Sequence, residues 1–234
     1  MICFLTSRTD DPETGALNTA NRFTDELRRC FPDSCRALDI CSNPDGWDQM
    51  DYYAGLIRES FELAGFSFSS FRTLDGRNAD QAEALVLESD LLILSGGHVP
   101  TQNRFFHSIG LRGLMERYNG IVIGISAGSM NSADTVYSLP EEPGEAIDPS
   151  YERYLKGLNL TKTMLIPHYR PGEDELLDGK LIYRDLACPD SMGKSFLAIP
   201  DGSWLLVESG KETVFGEAYE IHDGTIHAYK GSIR

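Results

Sequence analysis

Hydrophobic residues along this chain fall into short dense runs, and between the runs they recur every three or four positions. The dense runs are 2–6 (I-C-F-L-T), 35–41 (C-R-A-L-D-I-C), 90–95 (D-L-L-I-L-S) and 121–125 (I-V-I-G-I), while 66–74 alternates aromatic with small polar residues and reads as a further strand. Runs of this length read as strands buried on both faces. Between them, Leu17, Ala20, Phe23, Leu27 and Phe31 mark a helix over 17–31, and 47–64 reads as a helix with Gly65 at its C-cap. A short helix is predicted over 80–87, and a longer one over 103–118, weakened by Gly110 and Gly113. Strands joined by helices imply right-handed crossovers and a mostly parallel sheet with helices on both faces, an α/β three-layer sandwich.

Past residue 133 the texture changes. A strand over 136–139 precedes an acidic, proline-bounded loop at 140–149, and a short helix is expected over 151–157. An extended stretch at 163–167 leads to His168, and 174–186 reads as a helix. The rest is expected to be a C-terminal β-meander over 196–199, 203–208, 213–216, 218–222 and 226–230, with turns at Asp201-Gly202, Ser209-Gly210 and Asp223-Gly224. With no linker, repeat or low-complexity run, residues 1–234 are expected to form a single α/β domain.

Candidate chemistry begins where the 121–125 run ends, at Gly124-Ile125-Ser126-Ala127-Gly128. Gly-x-Ser-x-Gly after a buried strand is the pattern of a nucleophile elbow, in which flanking glycines permit a tight turn that lifts the serine hydroxyl clear of the sheet. The bland alternative is an ordinary turn. At an elbow the N–H of Ala127 would face an oxyanion, and Gly97, at the end of the 90–95 strand, is the natural second donor. In open α/β sheets the site lies beyond the carboxyl ends of the strands, so both glycine-rich ends face one crevice. Of the five histidines (His98, His107, His168, His222, His227), His168 has the best context for a base, delivered by the apolar stretch 164–167. Asp201 ends another apolar run and is a candidate orienting carboxylate, though Asp201-Gly202 also reads as a plain turn, and Glu141 and Glu142 are the alternatives.

Composition narrows the partners. With 21 basic against 36 acidic residues the formal charge is −15, which disfavours a nucleic-acid partner. No apolar run approaches the roughly 20 residues needed to span a bilayer. The N-terminal run lacks the flanks of a secretory signal, and the five cysteines have no C-x-x-C spacing, so reduced thiols in a cytoplasmic protein are expected. No metal or other cofactor is expected. A homodimer is compatible with the sequence but not specified by it.

Taken in order, Gly96-Gly97, Gly-Ile-Ser126-Ala-Gly, Pro167-His168-Tyr169 and Ile199-Pro200-Asp201-Gly202-Ser203-Trp204 resemble the serine peptidases of the dipeptidase E (aspartyl dipeptidase) and cyanophycinase type. The resemblance spans roughly residues 85–207 and implies a class I glutamine amidotransferase-like fold, with serine where amidotransferases carry cysteine. It implies Ser126 as nucleophile, His168 as general base, and Gly97 and Ala127 as oxyanion donors. The acid would be Asp201 by the cyanophycinase order, or Glu141 or Glu142 by the dipeptidase E order. A dipeptidase preferring an N-terminal acidic residue would need a cation for the substrate carboxylate; Arg170 is placed for this, and Arg104 is weaker. His98 stands where the family commonly has asparagine, so it bears on substrate binding. Two competing readings remain open. One is an α/β-hydrolase-type esterase, whose histidine would be His222 or His227; the other is a non-catalytic binding protein on the same fold.

Overall fold

The computed structural model describes residues 1–231. Strands β1 (Ile2–Thr6), β2 (Cys35–Ile40), β3 (Phe68–Leu74), β4 (Leu91–Leu94) and β5 (Ile121–Ile125) form the parallel part of a seven-stranded sheet. Numbering strands in chain order, β12 (Trp204–Glu208) and β13 (Lys211–Phe215) extend this sheet antiparallel beside β1, in the order β13-β12-β1-β5-β4-β2-β3. The apolar runs follow from burial on both faces. Leu92, Leu94 and Val122 pack into one cluster with Phe105 and Phe106, while Ile93, Ile121 and Ile123 pack with Phe4, Phe61 and Trp204 on the other side.

Helices α1 (Phe23–Arg28), α2 (Trp47–Leu63), α3 (Ala82–Glu88), α4 (Val99–Ser108) and α5 (Leu111–Met115) lie between the strands, and α6 (Ala127–Asn131) follows β5. The helix expected over 103–118 is instead two helices, because Gly110 adopts φ 65° and turns the chain between α4 and α5. The one expected over 17–31 shrinks to α1 preceded by a single 3-10 turn. Leu17 bridges Asp10, and Asn21 and Arg22 are left-handed.

A second sheet is built from strands of the C-terminal half. It contains β8 (Met164–Ile166), β11 (Ser195–Ala198), β14 (Tyr219–His222) and β15 (Thr225–Ala228), ordered β15-β14-β11-β8. This corrects the expected meander: its strands exist but are divided between two sheets. After β11 the Pro200–Gly202 turn hands the chain to the main sheet, where Trp204 stacks on Phe4 and Phe215. The 151–157 helix is also corrected. That segment holds β7 (Tyr154–Lys156), paired with β6 (Thr135–Tyr137). The 174–186 helix becomes a hairpin of β9 (Leu176–Leu177) and β10 (Lys180–Leu181) around Asp178-Gly179, followed by a π-helical turn over Ile182–Ala187 and the short α7 (Cys188–Asp190). The Asp174 carboxylate accepts from the N–H groups of Tyr183 and Arg184, which ties the hairpin to the turn. Among the described residues no helix is long and apolar enough to cross a membrane.

Candidate active site

Parallel pairing sets Leu5 and Leu94 opposite Gly124, so β1, β4 and β5 end at one level. Ser126 is the first residue beyond β5, with φ 49° and ψ −111°, a conformation that L-residues avoid. Its N–H donates to Thr6 O at 3.0 Å, and its carbonyl accepts from Ser129 and Met130 to start α6. The flanking glycines are required by close approach. A Cβ on Gly128 would lie 2.0 Å from Leu94 O, and one on Gly124 would lie 2.9 Å from the Ser129 backbone. Gly128→Ala is therefore expected to push α6 off the sheet and destabilise the fold by about 3 kcal/mol or more, read as a drop in melting temperature.

His168 lies two residues past β8, and Asp201 three residues past β11. Because β8 and β11 run parallel with Ile166 opposite Ala198, both side chains emerge at the same end. His168 Nδ1 is 2.7 Å from Asp201 Oδ1, and His168 Nε2 is 3.0 Å from Ser126 Oγ. An ionised Asp201 only accepts, so Nδ1 carries the proton and Nε2 accepts from the serine hydroxyl. The bond from His168 holds the Asp201 carboxyl below the usual carboxylate range. Burial opposes this, while the charges of Arg8 and Arg170, and that of His168 in its protonated form, add to it. The histidine backbone is itself fixed: His168 N donates to Ser7 Oγ at 3.1 Å, and Ser7 Oγ donates to Ile199 O at 2.8 Å. His168 and Asp201 side chains are 48% and 44% exposed, so this pair opens to solvent.

On the other side of Ser126, a Cβ built on Gly96 would stand 3.4 Å from Ser126 Cβ, and one on Gly97 would stand 2.2 Å from Ser42 Oγ. Gly97 has φ 148° and leads into the N-terminus of α4, whose backbone N–H groups favour negative charge. The same strand end is braced from below. Ser95 Oγ donates to buried Asp39 at 2.5 Å, and Gln102 Nε2 donates to Ser95 O at 2.6 Å. Burial pushes the Asp39 carboxyl up to about 7, against the Ser95 hydrogen bond. The folded state thus keeps a proton that the unfolded chain releases at its ordinary value. Asp39 favours folding most below about pH 4, and that contribution falls as pH rises toward 7. Asp39→Asn is expected to flatten the fall in melting temperature between pH 5 and pH 8; an unchanged slope would refute this.

The remaining sequence candidates sit as follows. His98 Nδ1 meets Thr101 Oγ1 and Nε2 meets Glu145 Oε1, each at 2.8 Å. Glu145 Oε2 accepts from the N–H groups of Glu141 and Glu142, which folds the acidic loop over the end of α4. Glu141 reaches solvent, yet the protein around it removes enough hydration to raise its carboxyl to about 7. The charges of Glu145 and Glu142 add to this rise, and that of His168 opposes it. Among the described residues the carboxylate hydrogen-bonded to His168 is Asp201, and Glu141 is only a neighbour. His107 bonds Lys156 O, His222 bonds Ser195 and Lys194, and Arg170 pairs with Glu173 at 3.4 Å. Arg104 bonds Thr101. Ligand atoms of His98, Glu142 and Glu145 lie within 4.8 Å of one another, a spacing a divalent cation would accept if it displaced the His98–Glu145 bond. Sequence reading missed Ser7, Arg8 and Glu145; Ser7 and Arg8 follow β1 directly, and a strand-end position was the one available signal.

The family model of peptidase family S51 matches residues 43–215, which include Gly97, Ser126, His168 and Asp201. The chain belongs to peptidase family S51. Family S51 is a family of serine peptidases, so the chain is a peptidase of serine type by descent. Among solved structures it is similar to a protein from Listeria monocytogenes EGD-e provisionally described as a peptidase E. The TM-score is 0.60 at 13% identity, with 91% of this chain and 96% of that chain covered. At that identity the likeness is one of fold. No curated protein matches the chain.

Proposed function

We propose that this S51 chain hydrolyses short peptides with a free N-terminus through an acyl-enzyme on Ser126. The observation that carries the reading is the continuous relay from Ser126 Oγ through the His168 ring to Asp201, at 3.0 and 2.7 Å. His168 Nε2 takes the hydroxyl proton as Ser126 Oγ bonds to the scissile carbonyl carbon, and Asp201 stabilises the imidazolium. The tetrahedral oxyanion is received by the N–H groups of Ala127 and Gly97, with the α4 N-terminus behind them. His168 then gives its proton to the departing amine as the C–N bond breaks. A water deprotonated by the same nitrogen attacks the ester and releases the acid and the free serine.

Two features bear on the substrate. Glu141, crowded by Glu145 and Glu142 beside His168, is a carboxylate whose charged form a substrate ammonium group would stabilise, which favours an unblocked N-terminus. Arg170, exposed and within the field of Asp201, is the cation available to an acidic side chain, and a dipeptidase preferring N-terminal acidic residues is the finer form of this reading. The test is a dipeptide panel followed by amine release, with each peptide also supplied N-acetylated and as a simple ester. Free dipeptides are expected to turn over, and acetylation to lower kcat/KM at least about tenfold. Turnover of esters but of no peptide would favour the esterase instead.

A further inference from the structure

A groove of about 660 Å³ opens directly beside the elbow. Its floor at the sheet end is Gly96, Gly97 and Ile125, and one wall is the face of α2 that carries Tyr53, Leu56 and Ile57. Helical spacing brings Met50, Tyr53, Ile57 and Ser60 to the same wall, while Phe61 of α2 is turned into the core. Tyr53 and Leu56 are nevertheless 45% and 44% exposed, a large apolar surface left uncovered in a groove that reaches Ile125, the residue before Ser126. The far rim is Arg8, held in a bidentate pair with Asp10 at 2.9 and 2.8 Å.

We infer that this groove seats a large apolar side chain on the leaving-group side of the scissile bond, so that the favoured peptides carry an aliphatic or aromatic residue there. The inference rests on the proposed peptidase reading and deepens it. The side follows from the groove's two ends: Gly97 and Ile125 flank Ser126 at one end, and Arg8 at the other is on the flank of Ser126 where His168 stands. The departing amine must lie within reach of His168, and the His168 backbone is tied to Ser7, the residue before Arg8. The field of Arg8 also reaches Asp201. The acidic residues Glu141, Glu142 and Glu145, suited to an ammonium group, belong to the loop over α4 and do not line the groove, whose own carboxylates are Asp10, already paired with Arg8, and Glu59. A dipeptide laid across the site would thus have its amine toward the acidic loop, its C-terminal side chain against α2 and its carboxylate toward Arg8. A second cavity, about 740 Å³, lies around Ile2, Arg36 and Gly120 at the other end of the strands, away from the chemistry.

The experiment compares Ala-Ala, Ala-Leu, Ala-Phe and the reversed Leu-Ala. Turnover is read as kcat/KM in the wild-type chain, and binding is read by calorimetry on Ser126→Ala. Ala-Leu and Ala-Phe are expected to exceed Ala-Ala about tenfold or more in both readouts, and Leu-Ala to show no such gain. Leu56→Glu, and independently Tyr53→Glu, should bring the ratio close to one; both sites are part-exposed, and melting temperature checks that each variant folds. Equal binding and turnover of Ala-Leu and Ala-Ala would overturn the inference, as would a preference that follows Leu-Ala or survives both variants. It would also fall if sedimentation showed a wild-type dimer that Leu56→Glu dissociates, because a second copy would then cover the groove. If neither these peptides nor Asp-Leu and Asp-Phe are cleaved, yet the side-chain-dependent binding to Ser126→Ala persists and is lost in Leu56→Glu, the groove assignment stands and the peptidase reading fails.

Discussion

Ser126→Ala is expected to lower kcat/KM by about four to six orders of magnitude while leaving the melting temperature nearly unchanged. The substitution removes one hydroxyl, and the backbone at φ 49° is as strained for alanine as for serine, so the elbow keeps both its geometry and its cost. His168→Ala should be about as damaging, because without Nε2 the serine proton has no acceptor. The double variant should be little worse than either single one, since a nucleophile and its base act as a unit. Initial rates on one dipeptide, with unfolding curves for all three proteins, provide the measurement. More than about a tenth of wild-type activity in Ser126→Ala would rule out a serine mechanism. Additive losses in the double variant would mean that His168 acts elsewhere.

The parallel sheet was legible because burial on both faces leaves an unmistakable run of apolar residues, as in 121–125 and 91–94. The C-terminal half was less so. Turn signals such as Asp201-Gly202 mark where a strand ends but say nothing of which strand it next pairs with. β11 and β12, adjacent in sequence, belong to different sheets because Trp204 fits between Phe4 and Phe215. Local competition explains two further misses. Asp178-Gly179 favours a hairpin over the helix that the apolar spacing of 174–186 implies, and Gly110 divides 103–118. Ser126, His168 and Asp201 were each readable as polar residues ending apolar strands. The supports of that site were not, since Ser7 reaches His168 across 161 residues and Glu145 reaches His98 across 47. Contacts of that separation leave no periodic trace in a single sequence.

Asp201→Asn is expected to lower kcat on the order of a thousandfold or more, against a few-fold change for Glu142→Gln. Asp201 is held by a strand pair, β8 with β11, whose register delivers it to 2.7 Å from Nδ1. An amide there can present an N–H to Nδ1, which leaves the proton on Nε2 and removes the acceptor that Ser126 needs. Glu142 holds no bond to the imidazole in this arrangement, and its N–H is occupied with Glu145. Glu141→Gln should act on binding: KM for free dipeptides rises while kcat changes little, because the charge that meets the substrate amine is gone. The pH dependence gives a second handle. The folded-state Asp201 carboxyl is held below its ordinary value, so its contribution to stability is present above the unfolded value near 4 and is lost as pH falls through the folded one. Asp201→Asn should therefore lower the melting temperature more at pH 7 than at pH 3. The deciding comparison is kcat for the three variants on one peptide. A large loss in Glu141→Gln or Glu142→Gln beside a small one in Asp201→Asn would move the orienting acid to the loop and leave Asp201 a turn residue.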